Sequence, residues 1–198
     1  MTYLDRLRLP QLPAQLPDGV RRAAVALVFA PGERLLFIRR AERKGDLWSG
    51  HVAFPGGREE ATDRDLLHTA TREVEEEIGL NLSAARLLGT LPPQTSPRNA
   101  GPQHVNVIPF VFELSAEPVA TPNQEVSDVG YVPLTSLVSG ENRHDFLYRW
   151  QGAEYELPCV DLPFGRLWGM TLRMVDDLCE AIGVPPASPP WPPREPAR

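Results

Sequence analysis

The chain has 198 residues, 42% of them hydrophobic and 23% charged, with a formal net charge of −6. Those values describe one globular domain with some elaboration and a real core, and the acidic balance excludes a general nucleic-acid or polyanion binder. No apolar run approaches the ~20 residues of a membrane span, and the N-terminus lacks the apolar core of a signal peptide. The two cysteines, Cys159 and Cys179, give neither a disulfide framework nor zinc spacing, which points to reduced thiols in a cytoplasmic protein.

In chain order, residues 1–20 form a proline-rich lead-in, extended over 8–18. "AAVALVFA" at 23–30 reads as a strand ended by Pro31-Gly32, and "RLLFIRRA" at 34–41 as its hairpin partner. "HVAF" is a short strand closed by Pro55-Gly56-Gly57. A helix follows, capped by Thr62 or Asp63 with Asp65 in its first turn, and Gly79 terminates it. "ARLLGTL" and "HVNVIPFVFEL" are strands, and Pro109 predicts an edge or a bulge in the second. Between them, "PPQTSPRNAGPQ" at 92–103 is a long polar loop. "EVSDVGYVPL" is a strand leading into a short helix at 134–138, and "FLYRW" and "AEYEL" form a hairpin around Gln151-Gly152. "LWGMTLRMVDDLCEAIG" is a closing amphipathic helix in which Trp168 and Met170 read as core. The tail at 184–198 is proline-rich and PPII-like, with an unusual Trp191. Strands and helices do not alternate as βαβα, so a mixed α/β (α+β) sandwich is expected rather than a doubly wound parallel sheet.

The central helix raises the chemical question. At 100° per residue, Ala70, Val74 and Ile78 fall within about 60° of Leu67 and form an apolar stripe. Glu73, Glu76 and Glu77 share the face beside that stripe, whereas Glu75 points elsewhere. Two carboxylates ~4 Å apart at an effective dielectric of ~20 repel by about 4 kcal/mol. Either they form a solvated face, or a hard divalent cation turns the repulsion into coordination.

"GREEATDRDLLHTATREVEEEIGL" resembles the box of the Nudix hydrolases, G-x5-E-x7-R-E-U-x-E-E-x-G-U with U apolar. Arg72, Glu73, Val74, Glu76, Glu77, Gly79 and Leu80 match in register. The first half departs: Arg72 follows Gly57 by fifteen positions, one more than the pattern, and the middle glutamate is replaced by Asp63 or its neighbours. Only the Arg-Glu-x-x-Glu-Glu core is carried over. Upstream, "LLFIRRAERKGDLWSGHVAFPGG" is similar to the extended motif of coenzyme A pyrophosphatases, with Arg40, Gly50 and residues 54–57 fitting best. "RLWGMTLRMVDDL" resembles that subfamily's closing helix.

The resemblance implies a Nudix-type α/β/α sandwich with a mixed β-sheet over residues 21–183. It implies Mg²⁺- or Mn²⁺-dependent hydrolysis of a nucleoside diphosphate-linked compound. For coenzyme A, the products are adenosine 3′,5′-bisphosphate and 4′-phosphopantetheine. Glu73, Glu76 and Glu77 are the implied metal ligands, Glu76 directly or through water, with the Gly56 carbonyl or a simple turn glycine as the two readings of Gly56. Arg72 orients Glu73. Glu125 is a ligand, a general base or a solvated loop carboxylate. Arg39, Arg40, Arg43 and Lys44 either bind the extra phosphate of coenzyme A or form an ordinary charged loop. His51, His68, His104 and His144 show no metal spacing. Competing readings are a pyrophosphatase for ADP-ribose, a dinucleotide or a damaged nucleotide, and a non-catalytic nucleotide-binding Nudix domain. The expected partner is the small-molecule substrate, with no nucleic acid and no membrane, and a homodimer is compatible with this reading.

Overall fold

In a computed structural model, the described residues are 2–11, 21–46, 48–96, 104–150 and 152–184. Residues 12–20 of the lead-in, residues 97–103 of the polar loop, and the tail from Pro185 with its Trp191 lie outside them.

β1 (Arg21–Ala30) organises the molecule. Its alternate residues feed two separate cores. Ala23, Leu27 and Phe29 enter one, and Ala24, Ala26 and Val28 enter the other. A strand buried on both faces must be apolar throughout, which is why this segment reads as a continuous hydrophobic run. β7 (Val105–Glu113) lies parallel to β1 along most of its length. β5 (Arg86–Thr90) and β6 (Gln94–Thr95) pair antiparallel on the far side of β7. β2 (Arg34–Arg40) forms the expected hairpin with the end of β1. β2 also carries β3 (Val52–Ala53) and β8 (Val126–Pro133). β4 (Gly56–Arg58) pairs with the first half of β1 and completes an eight-stranded mixed sheet.

Helix α1 (Leu66–Ile78) covers one face of the sheet, with Ala70, Val74 and Ile78 at 0% exposure. On the other face lie α2 (Leu134–Ser139) and α3 (Gly169–Ala181). A separate three-stranded sheet, β9 (Arg143–Trp150), β10 (Ala153–Leu162) and β11 (Gly165–Trp168), also contributes to that side. A buried Arg143–Asp176 ion pair at 2.7 Å ties β9 to α3. The architecture is the expected sandwich around a mixed sheet. Residues 4–6 make a single 3₁₀ turn, and Tyr3, Leu4, Leu7 and Leu9 pack on the α3 side of the core.

Four local expectations are corrected. Gly56 and Gly57 do not merely close a turn, because they lie in β4. Their lack of side chains is forced by close approach. A Cβ on Gly56 would lie 2.3 Å from the Ala24 carbonyl oxygen, and one on Gly57 would lie 2.2 Å from a Glu73 carboxylate oxygen. Pro109 sits in an interior strand, at the gap between β5 and β6, where its own carbonyl accepts from Leu91 N–H. A strand residue projects N and C=O to the same side, so the missing donor faces the gap and costs no ladder bond. The closing helix begins only at Gly169, since residues 165–168 are strand β11. Finally, α1 is capped by Asp65, whose Oδ1 accepts from His68 N–H at 2.7 Å, and not by Thr62 or Asp63. Gly79 ends the helix in the left-handed region at φ 65°.

Candidate active site

The box residues gather where α1 crosses β4. Glu77 is 4% exposed, and its Oε2 accepts from the Gly56 N–H at 2.9 Å. Gly56 and Gly57 are in register with Val25 and Ala24 on β1. The Gly56 N–H is spent on the helix carboxylate. Burial pushes Glu77 up to about 7. The Gly56 N–H opposes that rise, as does Arg40, while Glu73 and Glu125 add to it. Burial also raises Glu73, against the pull of Arg72.

Arg72 holds this cluster in place. Its Nε and one terminal nitrogen grip Asp63 Oδ1 and Oδ2, both at 3.0 Å. The other terminal nitrogen reaches Glu73 at 3.0 Å and Glu76 at 3.1 Å, and a last N–H donates to the Arg58 carbonyl at 3.2 Å. All five guanidinium donors are used. The Asp63 side chain is fully buried and also accepts from Thr69 Oγ1 and Glu60 N–H. Arg72 holds its carboxyl well below the usual range. Asp63 thus acts on the site through Arg72. In the sequence it stands nine positions from its partner, in the irregular half of the box, so no helical spacing marks it.

The segment before β8 closes the C-terminal end of α1. Thr121 N–H caps the Ile78 carbonyl at 2.7 Å, and Asn123 N–H takes the Glu77 carbonyl at 2.8 Å. The Asn123 amide also donates to the Glu76 carbonyl, and its Oδ1 accepts from Glu125 N–H at 2.7 Å. Asn123 was not singled out in the sequence, although Pro-Asn before a polar run is a turn signal. Through it, Glu125 is latched beside the acidic face of α1. Arg43 reaches Glu125 at 3.0 Å, and Ala41 N–H donates to the Glu125 carbonyl.

The other loop cations divide. Arg40 pairs with Asp46 at 2.9 Å, and its Nε is buried without a hydrogen-bond partner among the described residues. Arg39 makes long contacts to Glu42 at 3.5 Å and to the Gly50 carbonyl at 3.4 Å. Lys44 is exposed and has no ion partner among the described residues. So the structure brings Gly56, Arg72, Glu73, Glu76, Glu77 and Glu125 together, with Arg40 and Arg43 alongside, while Arg39, on β2, turns to Glu42 and Gly50 instead, and Lys44 lies in the loop without an ion partner among the described residues. Trp168 is only half-buried and not a core residue. It contacts the rings of Tyr148 and His51 at 4.7 Å and 4.9 Å, and His51 in turn meets Trp48. Met170 does pack on the core.

The carboxylates suit a hard divalent ion. Glu77 is buried, Glu73 and Glu125 repel its charge, and among the described residues no lysine or arginine lies within ion-pair distance of it. A buried carboxylate lacking a cationic partner is the donor such an ion requires.

A NUDIX-domain family model matches residues 19–151. The uncharacterized Nudix hydrolase NudL of Yersinia pestis (strain Pestoides F) is 30% identical over 198 residues, covering 92% of this chain and 94% of that protein. NudL of Photorhabdus laumondii subsp. laumondii is 29% identical over 184 residues, covering 90% and 94%. Among solved structures, a C. elegans Ap4A hydrolase binary complex aligns with a TM-score of 0.50 at 14% identity, over 61% of this chain and 85% of that one, which is a likeness of fold. The chain belongs to the Nudix hydrolase family, whose members generally use divalent metal ions. Among the described residues, no helix is long and apolar enough to cross a membrane.

Proposed function

We propose that the chain hydrolyses the pyrophosphate of nucleoside diphosphate-linked compounds, with coenzyme A or its derivatives as substrate. The products are then adenosine 3′,5′-bisphosphate and 4′-phosphopantetheine. One observation carries this reading. The loop bearing the coenzyme A-type motif is anchored, through Arg43, to the same Glu125 that Asn123 fixes against the acidic helix. Phosphate-binding and metal-binding chemistry thereby share one site.

Glu73, Glu76, Glu77 and the Gly56 carbonyl would hold Mg²⁺ or Mn²⁺. Such an ion neutralises pyrophosphate oxygens and lowers the pKa of a bound water. Arg72 positions Glu73 and Glu76 and touches no substrate, since its donors are all used. Glu125, half-exposed and oriented by Asn123 and Arg43, is the candidate general base. Arg40, beside Glu77, and Arg43 are placed to receive phosphate oxygens, for which the guanidinium fork is suited. The rings of Trp48, His51 and Trp168 offer faces for a base.

The test is mass-spectrometric identification of products from a mixed pool of nucleotide conjugates with Mg²⁺. Release of 4′-phosphopantetheine supports the reading. Cleavage of ADP-ribose or a dinucleotide with coenzyme A untouched overturns the substrate while leaving the pyrophosphatase chemistry. Tight nucleotide binding without turnover indicates a binding domain.

A further inference from the structure

The three-stranded sheet carries a cluster that pyrophosphate hydrolysis does not use. His144 on β9 stands directly opposite Cys159 on β10. Asp161 follows two residues later, on the same face. His144 Nε2 lies 3.4 Å from Cys159 Sγ and 3.4 Å from Asp161 Oδ2, and the three atoms all lie within 4.8 Å of one another. We propose that His144, Cys159 and Asp161 form a Zn²⁺ site, with water as fourth ligand, distinct from the carboxylates of α1.

The spacing fits the ion. Zinc bonds of about 2.3 Å to sulfur and about 2.0–2.1 Å to nitrogen and oxygen, at tetrahedral angles, put sulfur and nitrogen about 3.5 Å apart and nitrogen and oxygen about 3.3 Å apart. The sulfur–nitrogen and nitrogen–oxygen separations in the structure lie within about 0.2 Å of these values.

The surrounding contacts orient each donor. His144 Nδ1 is 3.2 Å from the Asn142 carbonyl. Donation there leaves the Nε2 lone pair facing Cys159 and Asp161, the arrangement that fixes the tautomer of metal-binding histidines. Asn142 is held at φ 57°, and its carbonyl also accepts from Asp161 N–H. Arg166 occupies Asp161 Oδ1 at 2.9 Å and leaves Oδ2 for the ion.

The donor set selects the metal. One thiolate, one imidazole and one carboxylate favour Zn²⁺, whereas the all-oxygen set on α1 favours Mg²⁺ or Mn²⁺. Burial raises the Cys159 thiol, which makes it a poor nucleophile without metal. Binding therefore exchanges the thiol proton for the zinc–sulfur bond and releases that proton to solvent. Thiolate and carboxylate together balance the two positive charges of the ion. His144 and Asp161 are exposed, so solvent can supply the fourth ligand. The bound ion would cross-link β9 to β10.

The test uses the full chain, stripped with chelator and reloaded. Elemental analysis is expected to find one Zn²⁺ per chain. Loading with Co²⁺ is expected to give a thiolate-to-cobalt charge-transfer band and tetrahedral d–d bands. Both signals should fall to background in Cys159→Ser and in His144→Ala, and both should survive in a Glu73→Gln/Glu77→Gln double variant. Zn²⁺ should raise the Tm of wild type and of the double variant but not of Cys159→Ser. Because His144 is exposed, its variant keeps the test decisive if Cys159→Ser does not fold. Absence of the charge-transfer band, or zinc retained in His144→Ala and lost from the glutamine variant, overturns the proposal.

Discussion

Arg72 gives every one of its donors to protein oxygens with its side chain 15% exposed, whereas Arg40 and Arg43 each hold one carboxylate at 32% and 46% exposure. The first sits between a fully buried aspartate and the carboxylates of α1; of the others, Arg40 ends β2 and Arg43 lies in the loop that follows. One guanidinium shapes the site and the others are left open to it. The difference comes from local geometry: α1 brings Arg72, Glu73 and Glu76 onto adjoining positions, while a loop delivers Asp63 beneath them. Saturation, more than charge, separates an arginine that positions from one that binds.

The strongest way to break that contrast is to remove Arg72. Arg72→Ala leaves Asp63 buried without its guanidinium, and stability is expected to fall by about 3–5 kcal/mol in urea unfolding. Arg72→Lys should recover little, because a single ammonium cannot replace a two-pronged grip. A loss no greater than that of Arg43→Ala would show that the two arginines are equivalent.

Next in size is the buried carboxylate that no arginine contacts. Glu77 is raised from 4.5 to about 7 in the folded state, so the native protein holds this proton more tightly than the unfolded chain does. Stability from this group is therefore greatest below about 4.5 and falls as pH rises through about 7, by on the order of 3 kcal/mol. In metal-free protein, Glu77→Gln should abolish the fall and be the more stable form at pH 8, as read by thermal melts. The same variant should lose most activity at saturating Mg²⁺. Mg²⁺ should raise the Tm of wild type, and a shift undiminished in Glu73→Gln/Glu77→Gln would put the ion elsewhere.

The loop arginines should show the reverse profile. Alanine at Arg39, Arg40, Arg43 or Lys44 should change stability by less than about 1 kcal/mol. At the residue that contacts the 3′-phosphate, it should remove a preference for coenzyme A over dephospho-coenzyme A of about ten- to a hundredfold in kcat/KM. Measuring both substrates in wild type and the four variants decides it. If wild type does not discriminate, the loop is an ordinary charged surface. Smallest is the cap: Asp65→Ala should cost about 1 kcal/mol without altering that preference.

Much of the sheet was legible because β1, β2 and β8 carry apolar residues at strand spacing between Gly and Pro signals. The helix register of Arg72, Glu73, Glu76 and Glu77 was legible for the same reason, since local periodicity fixes it. What the sequence concealed depends on contacts between distant segments. Gly56-Gly57 reads as a turn because glycine is ambiguous, and only the nearby Glu73 and Ala24 atoms show why a strand needs glycine there. Asp63 and Asn123 act through residues far from them in the chain. His144 and Cys159 have no metal spacing along the sequence and become neighbours only through the β9–β10 register.

Because β1 supplies both cores in strict alternation, the loss of one residue within it would turn Leu27 and Phe29 toward α1 and send Val28 to the opposite core. Both hydrophobic layers would fail together. The segment between Glu60 and Asp65 is under no such constraint: it carries Asp63 beneath Arg72, and the register of the acidic face is counted along the helix itself. A change of length is therefore expected to be tolerated in such a loop, and the added residue in the first half of the box is one that the architecture could accept.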